Sequence, residues 1–430
     1  MSKQPLRLGI AGLGTVGSGV IKMLLNNASL LSLRAGRQIT ISAVSAKSRT
    51  KKRPFDLSGI DWENNPVELA KRYDVDVFVE LMGGSEGSAK EATLAAISSG
   101  KDIVTANKAM LAIHGQSLAL AAEKAGLIIR FEAAVAGGIP VIKALTEGLA
   151  GNKIDRILGV MNGSCNYILT RMETSGLSYA DIFAEADGLG YLEADPSLDV
   201  GGIDAAHKLA LLASIAFGTK VNFESMVIEG IEAITIEDIN AASDMGYRVK
   251  LLGVSQMTEH GLEQRMTPCL VSASSSLGQL QGGTNMVILE GQDSGQIALK
   301  GAGAGEGPTA SAVLSDIIDI ARGQRLKTFG QPAKTLIDAQ ATTASTPAPF
   351  YLRLQLLDKP GALGKIAAIM GKANVSIDRM RQYGHDTDNA PVIIVTHKTT
   401  RATINEILGE FSETGVIDGK PVALRIESVS

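Results

Sequence analysis

The opening segment "LRLGIAGLGTVGSGVIKMLL" restricts the fold of this chain more than any other stretch. A short apolar run ends at a glycine motif, Gly12-x-Gly14-x-x-Gly17, and apolar residues at helical spacing follow it. In a strand–turn–helix context such glycines let the backbone bend tightly and approach a pyrophosphate, which the helix N-terminus also favours. We therefore predict a dinucleotide-binding turn that includes Thr15 and Val16. The alternative is a plain tight turn.

The order of apolar segments predicts two kinds of architecture. Residues 6–135 alternate strand-like and helix-like segments, which indicates a parallel sheet with helices on both faces, a doubly wound α/β fold. Residues 140–300 mix long helical patterns with β-type runs, which favours an α+β substrate domain.

The end of the second predicted strand bears on the choice of cofactor. It reads "AVSAKSRTKKR" and lacks the acid that usually holds the ribose hydroxyls of NAD. Ser45, Lys47, Ser48 and Arg49 are placed to meet a 2′-phosphate instead. We predict that NADP(H) is preferred, with NAD(H) as a second cofactor. The alternative is a solvated basic loop.

Composition excludes several classes of function. The 430 residues carry a net charge of −4 and no long basic tract, so nucleic acid is not an expected partner. Two cysteines do not make a disulfide framework or a zinc site, which fits a reducing compartment. We see no signal peptide and no run of about 18 apolar residues. We predict a cytoplasmic protein without a membrane span.

The stretch "GYLEADPSLDVGGIDAAHKLALL" gathers charge where a helix becomes apolar. Asp204 and Lys208 lie one turn apart, and their face continues as Leu211 and Ile215. A buried ion pair is costly and needs a reason, such as a cleft that binds a polar substrate. A lysine held by an aspartate can protonate the oxygen of a carbonyl under reduction.

Other charged residues near this helix have competing interpretations. Glu193, Asp195 and Asp199 are available to bind a substrate ammonium group. The alternative is a helix N-cap at Asp199 with surface acids around it, and we favour a surface role for Asp195. His207 is expected to be packed rather than catalytic. Lys108, in "TANK", ends the fourth strand and faces cofactor or substrate or, alternatively, solvent.

Several motifs together resemble homoserine dehydrogenase. They are "GLGTVG", "TANK", "FEAAVAGGIPVI", "NGSCNYILT", "GYLEADPSLDVGGIDAAHKL" and "GAGAGEGPTASAV", in the family's order, from residue 1 to about 335. That family reduces L-aspartate 4-semialdehyde to L-homoserine with NAD(P)H, on the route to threonine, methionine and isoleucine. The resemblance implies that Lys208 is the proton donor with Asp204 as its partner. It also implies that Glu193 binds the substrate amino group near Asp199, with Lys108 at the cofactor and substrate edge.

The resemblance implies two further sets of contacts. One is a monovalent cation site, usually sodium, made by the Glu132 carboxylate and the carbonyls of Val135, Gly137 and Ile139. The other is a set of cofactor contacts from Gly163, Gly305 and Glu306. The family often reads NGTTNYIL, whereas Ser164 and Cys165 stand here. Cys165 is therefore expected to be packed and not to act as a nucleophile.

The C-terminal segment "YLRLQLLDKPGALGKIAAIMGKANVSIDRMRQYG" resembles an ACT domain, which is ferredoxin-like. The resemblance implies threonine feedback at a ligand loop, and pairing between copies as a homodimer or homotetramer. The alternative is an ACT domain kept only for oligomerisation. The implied effector residues are Asp358, Gly361, Leu363 and Asn374.

We predict the following domain boundaries. A Rossmann-type domain covers 1–139, with a helix at 306–323 packed back onto it, and a catalytic and dimerisation domain covers 140–305. A linker at 338–349 precedes the ACT domain at 350–430. Two rival functions stay open: another ACT-bearing dehydrogenase with a histidine–carboxylate pair, and a catalytically inactive nucleotide-binding sensor. The histidines show no such setting, and the retained Lys208 and Glu193 speak against a sensor.

Overall fold

The computed structural model describes residues 4–192, 195–342, 345–382 and 388–429. Glu193, to which the sequence assigns a substrate contact, lies outside these ranges. No helix within them is long and apolar enough to span a membrane.

The N-terminal sheet is parallel throughout its described strands, as the alternating pattern predicts. Its order is β3-β2-β1-β4-β5-β6, and apolar side chains fill both faces because helices cover both. The strand order reverses between β1 and β4, where open α/β sheets form their ligand crevice. The strands are β1 (Leu6–Ala11), β2 (Ile39–Ser45), β3 (Asp61–Glu63), β4 (Val77–Glu80), β5 (Asp102–Thr105) and β6 (Ile129–Arg130). The helices are α1 (Thr15–Asn26), α2 (Ala28–Ala35), α3 (Pro66–Lys71), α4 (Ser88–Ser98) and α5 (Lys108–Lys124).

The central region combines helices with an antiparallel set of strands. After a 3-10 turn at Glu132–Ala134, the chain forms α6 (Val141–Lys143), which continues as a π-helical turn at Ala144–Gly148. The helices that follow are α7 (Gly163–Ser175), α8 (Tyr179–Gly188), α9 (Pro196–Val200), α10 (Ile203–Phe217), α11 (Ile236–Asp244) and α12 (Glu306–Arg322). The strands are β7 (Ile154–Val160), β8 (Val227–Ile228), β9 (Tyr247–Thr258), β10 (Gly261–Ser272), β11 (Thr284–Gly291) and β12 (Gly295–Ala302). A further 3-10 turn lies at Ala333–Thr335.

Helix α12 returns to the N-terminal unit and packs on α1. A Cβ at Gly19 would lie 2.8 Å from the Glu306 backbone and 3.0 Å from Ala310 Cβ, so glycine permits this close approach. Val20 and Val313 join the same apolar core. The boundaries that we assign to the domains remain predictions.

The C-terminal unit has the β-α-β-β-α-β order expected of an ACT domain. It comprises β13 (Phe350–Leu357), α13 (Ala362–Lys372), β14 (Ile377–Gln382), β15 (Asn389–Thr396), α14 (Arg401–Glu413) and β16 (Ile417–Glu427). Both helices pack on one sheet face, through Leu352, Ile366 and Phe411 among others. The opposite face adds Tyr351 and Leu424 to the central core.

One sheet runs from the central region into the C-terminal unit, because β16 pairs in parallel with β10. The resulting order is β12-β11-β7-β9-β10-β16-β13-β15-β14, and β8 pairs with β10. The segment that we assign as a linker is bound at both ends: Ala341 bridges Leu262, and Ala348 bridges Thr399. The C-terminal unit is thus joined to the central region by backbone hydrogen bonds as well as by side chains.

Candidate active site

Two neighbouring cavities lie at the carboxyl ends of the parallel strands, where this class of sheet binds ligands. The first, which we call the basic cavity, has a volume of about 780 Å³ and is lined by Gly12, Gly14, Lys47, Arg49, Arg53 and Trp62 among others. The second, which we call the lysine cavity, has a volume of about 480 Å³ and is lined by Lys108, Asn162, Gly163, Asp204, Lys208 and Gly305 among others. Gly14 lines the first and Thr15 the second, so the glycine turn lies between them.

The three glycines of the motif differ in what a side chain at each position would meet. Gly12 has φ 102°, and a Cβ there would lie 2.3 Å from the Leu81 carbonyl oxygen. A Cβ at Gly17 would lie 1.9 Å from the Gly12 carbonyl oxygen, so larger residues would open the turn. A Cβ at Gly14 would meet nothing within 4 Å, because this residue faces the basic cavity. The turn therefore leaves room for a ligand against the backbone that opens α1, as a pyrophosphate requires.

The basic cavity carries an excess of positive charge. Lys47, Arg49 and Lys51 line it, and none of the three has an ion pair among the described residues. Its one lining carboxylate, Glu86, is paired with Lys90 at 2.9 Å and also contacts His114. An anionic ligand would balance this charge.

The lysine cavity contains a carboxylate held between two ammonium groups. Asp204 Oδ2 lies 2.6 Å from Lys208 Nζ, one turn along α10, and Asp204 Oδ1 lies 2.7 Å from Lys108 Nζ at the start of α5. Lys208 Nζ also donates to the Met161 carbonyl at 3.0 Å. Asp204 is 7% exposed and Lys208 is 8% exposed, so the pair is buried as the helical spacing predicts.

The two lysines keep Asp204 ionised. Burial alone would raise the pKa of its carboxyl, but the charges of Lys208 and Lys108 outweigh that effect and hold the pKa well below the usual range. Asp204 therefore serves as a fixed negative charge that orients Lys208. It does not exchange a proton at neutral pH.

The "TANK" turn determines where Lys108 begins its helix. Asn107 caps α5 by accepting from the Met110 N–H at 3.1 Å, and its amide donates to the Gly84 carbonyl at 2.7 Å. Thr105 donates to the buried Glu80 carboxylate at 2.6 Å. These contacts fix the strand end and direct Lys108 towards Asp204, so Lys108 faces the site and the solvent-facing alternative is wrong.

Asp199 is a buried residue of the lysine cavity. It accepts from Asn162 Nδ2 at 2.9 Å and is 4% exposed. The alternative interpretation of Asp199 as a helix N-cap is wrong, because Asp195 caps α9 and Gly202 precedes α10. Asp195 is exposed, in agreement with the surface role that we favour for it.

Two other residues behave as expected from the sequence. His207 packs against Phe223 with ring centroids 4.3 Å apart, and burial lowers its pKa. Cys165 is buried, its Sγ lies 3.2 Å from the Asp199 carbonyl oxygen, and burial raises the pKa of its thiol well above the usual value. Neither environment favours nucleophilic or acid–base chemistry.

Three residues of the lysine cavity were missed from sequence. Asn162 caps α7 and binds Asp199, and only its place before "GSCNY" signals this role. Tyr191 stacks on Tyr167 at 4.2 Å, and the Ser164 hydroxyl donates to the Tyr191 carbonyl. Asn285 is 1% exposed, and its Oδ1 has no hydrogen-bond partner among the described residues. A buried acceptor of this kind leaves a hydrogen bond for a ligand.

The residues assigned to cofactor and cation lie in different surroundings. Gly163 and Gly305 line the lysine cavity, whereas the Glu306 carboxylate pairs with Lys22 at 2.6 Å. Glu132 is buried and accepts from the Ile142 and Lys143 N–H groups at 2.9 Å each. Burial and the nearby Asp316 raise the pKa of Glu132 to about 8.

The carbonyls of the implied cation site are only partly used. Ile139 O accepts from the Val141 N–H at 2.8 Å, while the carbonyls of Val135 and Gly137 accept no hydrogen bond from the described chain. No group of three or more His, Cys, Asp or Glu residues that could hold a metal occurs in the described ranges. One carboxylate with main-chain oxygens is a different donor set, and it suits a hard monovalent ion.

The residues assigned to an effector lie at the two ends of α13, the first helix of the C-terminal unit. Asp358 follows β13, and Gly361, with φ 85°, is the N-cap of α13. Leu363 lies in that helix, and Asn374, with φ 56°, lies between α13 and β14. Asp358, Gly361 and Leu363 thus lie at the start of α13, and Asn374 lies beyond its other end.

A nucleotide site beside a buried lysine that can protonate a reduced carbonyl defines a class: the chain is an NAD(P)-dependent oxidoreductase that acts on a CH–OH group. Comparison with known families agrees with this. The homoserine dehydrogenase model matches residues 140–318, its NAD-binding-domain model matches 12–132, and the ACT domain model matches 350–415.

Individual relatives match over nearly the full chain. A homoserine dehydrogenase of Neisseria gonorrhoeae is 44% identical over 438 residues, with 99% of both chains covered. One of Pseudomonas aeruginosa is 38% identical, with 99% of this chain and 100% of the relative covered. The crystal structure of a homoserine dehydrogenase from Thiobacillus denitrificans has a TM-score of 0.93 at 37% identity and covers 99% of each chain.

An archaeal homoserine dehydrogenase in complex with NADPH is similar over 73% of this chain and 97% of its own, with a TM-score of 0.62 and 28% identity. The chain belongs to the homoserine dehydrogenase family. It therefore catalyses the NAD(P)H-dependent interconversion of L-aspartate 4-semialdehyde and L-homoserine. Its ACT domain suggests that this activity is regulated. Neither rival function is favoured.

Proposed function

We propose that Lys208 protonates the carbonyl oxygen of L-aspartate 4-semialdehyde during reduction to L-homoserine, with Asp204 holding it in place. The observation that carries this proposal is the buried Lys208–Asp204 pair, with Lys108 also bound to Asp204, on the wall of the lysine cavity. When bound, the nicotinamide cofactor would supply a hydride, one hydrogen with two electrons, to the carbonyl carbon.

The residues of the chain would supply the proton and stabilise the negative charge that develops on the substrate oxygen. As negative charge grows on the substrate oxygen, the Lys208 ammonium stabilises it and passes it a proton. Asp204 and the Met161 carbonyl hold Nζ, which limits its motion within the cavity. Lys108 supplies a second positive charge beside Asp204.

Substrate binding is assigned to Glu193 and to Asp199, which lines the same cavity. An ammonium group of the substrate would be held by Glu193, with Asp199 nearby. The burial of Asp199 beside Asn162 supports a binding role, because a buried carboxylate on a cavity wall favours a cationic partner.

The preferred cofactor is NADP(H), with NAD(H) as a second cofactor. Lys47 and Arg49 would receive the 2′-phosphate, and the glycine turn would receive the pyrophosphate. Gly14, which faces open space, and Asn285, which has an unused acceptor, support the fit of a dinucleotide across both cavities. Glu306 would contact the cofactor from the start of α12, beside Gly305.

Three further assignments complete the proposal. A sodium ion would bind the Glu132 carboxylate and the carbonyls of Val135, Gly137 and Ile139, which would stabilise the turn before α6. Threonine would bind the effector residues of the ACT domain. The protein would work in the cytoplasm as a homodimer or homotetramer, which is consistent with two buried free cysteines and an exposed edge strand β14.

The test is a variant assay that separates chemistry from binding. Lys208→Met should slow aspartate semialdehyde reduction by about 10²- to 10⁴-fold, while calorimetry should show that NADPH still binds. The matched control is Lys71→Met, which removes an exposed helical lysine that is paired with Glu68. Near-normal turnover of Lys208→Met would refute the proton-donor role.

A further inference from the structure

The only tryptophan of the chain, Trp62, lines the basic cavity. It lies on the short strand β3, opposite Val44 of β2, and its indole N–H donates to Asn64 Oδ1 at 3.0 Å. Trp62 is half-buried. A large rigid side chain on this strand therefore forms part of the cavity wall.

Arg53 connects this wall to the loop. Its guanidinium carbon lies 5.3 Å from the centre of the Trp62 ring, within the range of a cation–π contact. The same group donates to the Lys51 carbonyl at 3.0 Å and to the Ser48 carbonyl at 2.7 Å. Arg53 thus rests one face on the tryptophan and closes the loop with its edge.

The remaining contacts of the loop are few. Ser48 Oγ accepts from the Lys51 N–H at 3.2 Å and lies 3.3 Å from the Thr50 hydroxyl. The exposed side chains of Lys47 and Arg49 have no ion pair in the described part of the chain. Like charges on a solvated loop repel one another, so an intrinsic brace is needed to keep them on one side of the cavity.

We propose that Arg53 and Trp62 form a brace that holds residues 47–53 in the shape in which Lys47 and Arg49 receive the 2′-phosphate. Arg53 is then a positioning residue for the selection of NADP(H) over NAD(H), and Trp62 is its support. This inference rests on the proposed preference for NADP(H). Lysine cannot replace Arg53, because the role needs a planar fork with two donors and a stacking face.

The test uses the full chain and two ligands without a nicotinamide ring. Adenosine 2′,5′-bisphosphate carries the 2′-phosphate and adenosine 5′-monophosphate lacks it, so the ratio of their affinities isolates the phosphate site. Calorimetry gives the affinities, and Trp62 emission is a second readout because no other tryptophan contributes. The variants are Arg53→Lys, Trp62→Phe and, as control, Lys52→Met, which removes an exposed charge of the same loop.

For the wild type we expect the bisphosphate to bind at least about tenfold more tightly, as charge-assisted hydrogen bonds to phosphate require. Arg53→Lys should lose most of this preference although its charge is unchanged, with the monophosphate affinity altered less than about twofold. Trp62→Phe should lose a smaller part, because phenylalanine offers a weaker face to a cation. Lys52→Met should keep the preference. Wild-type emission should respond to the bisphosphate.

Two failures are distinguishable. If the wild type binds both ligands equally, the proposed cofactor preference is wrong, and the brace loses its purpose with it. If the wild type prefers the bisphosphate but Arg53→Lys prefers it equally, charge alone suffices and only the brace is refuted. Bisphosphate binding without any change in Trp62 emission would remove Trp62 from the account.

Discussion

Two buried charge clusters differ in how their charges are balanced. In the lysine cavity, two ammonium groups share the carboxylate of Asp204. At the β10–β16 junction, three guanidinium groups pair with three carboxylates, and Glu427 connects all three guanidinium groups. The members of this network are Arg156, Arg265, Arg425, Glu263, Glu290 and Glu427.

The difference in charge balance distinguishes a cluster that stabilises the fold from one that can bind a ligand and take part in catalysis. In a network of matched charges each buried charge faces one of opposite sign, so the removal of one partner leaves another charge buried and unpaired. A cluster with surplus charge beside a cavity is completed by a ligand, and the surplus can act on developing charge. Burial and charge alone therefore do not mark an active site, whereas imbalance beside an open cavity does.

The sharpest way to break this comparison is to remove Lys208. We expect Lys208→Met to lower kcat by about 10²- to 10⁴-fold, the usual contribution of a positioned acid. The loss in free energy of unfolding should be much smaller than the rise in activation free energy that corresponds to the fall in kcat. Steady-state kinetics and urea unfolding on the same preparation measure both. A large loss of stability with modest loss of activity would place this cluster with those that stabilise the fold.

The junction cluster should give the opposite result. Glu427→Gln removes the carboxylate shared by Arg156, Arg265 and Arg425, and breaking a buried pair costs about 3–5 kcal/mol. The kcat of the folded fraction should remain. Glu290→Gln is the matched control, because its pair with Arg156 spans 3.7 Å and is more exposed, worth about 0–1 kcal/mol. Equal effects of the two variants would contradict the central place of Glu427 in the network.

Glu427 should also make the free energy of unfolding depend on pH. Burial opposes ionisation of Glu427, but Arg265, Arg425 and Arg156 outweigh it and lower the pKa of its carboxyl. Its stabilising contribution is therefore present above the pKa of the unfolded chain, about 4.3, and is lost as the pH falls below that value. Glu427→Gln should show a flatter loss of stability in acid than the wild type, as measured by urea unfolding.

Much of the framework follows from local sequence. Alternating apolar segments predict the parallel sheet, and the spacing of Asp204 and Lys208 on one helix predicts their contact. The arrival of Lys108 from another strand end does not follow, because it depends on how α5 packs against α10. The pairing of β16 with β10 is equally invisible, since register between distant strands is set by tertiary packing.

That pairing changes how regulation must be tested. Deleting the ACT domain would strip β16 from β10 and leave Arg265 without Glu427. A truncated chain would therefore lose stability as well as any effector site. Point variants of the ACT loop test threonine control more cleanly.

The basic cavity belongs with the lysine cavity in this comparison, since the positive side chains that line it outnumber its one lining carboxylate, Glu86. Lys47→Ala combined with Arg49→Ala should raise KM for NADPH by about 10- to 100-fold, from the loss of charge-assisted phosphate contacts. KM for NADH should change little. Steady-state kinetics with both cofactors measure this. Equal shifts would mean that the loop does not contact the 2′-phosphate.

The smallest expected effect concerns Glu132. Burial and the neighbouring acid Asp316 both raise the pKa of its carboxyl. Its raised pKa, about 8, means that stability falls as the pH rises from the unfolded value towards 8, because ionisation is costly in the folded state. Bound sodium would offset this by about 1 kcal/mol near ten times its dissociation constant. Sodium should therefore raise Tm more at about pH 9 than at about pH 6. Glu132→Gln should abolish that difference, and a response that persists in this variant would exclude the site.

The most direct test of the central claim is a double-mutant cycle on kcat/KM with Asp204→Asn and Lys208→Met. If Asp204 acts by holding Lys208, the double variant should be no slower than Lys208→Met alone, because residues that act as a unit are strongly non-additive. If the two losses multiply, Asp204 and Lys208 act independently, and the account of a lysine positioned by its buried carboxylate would be wrong.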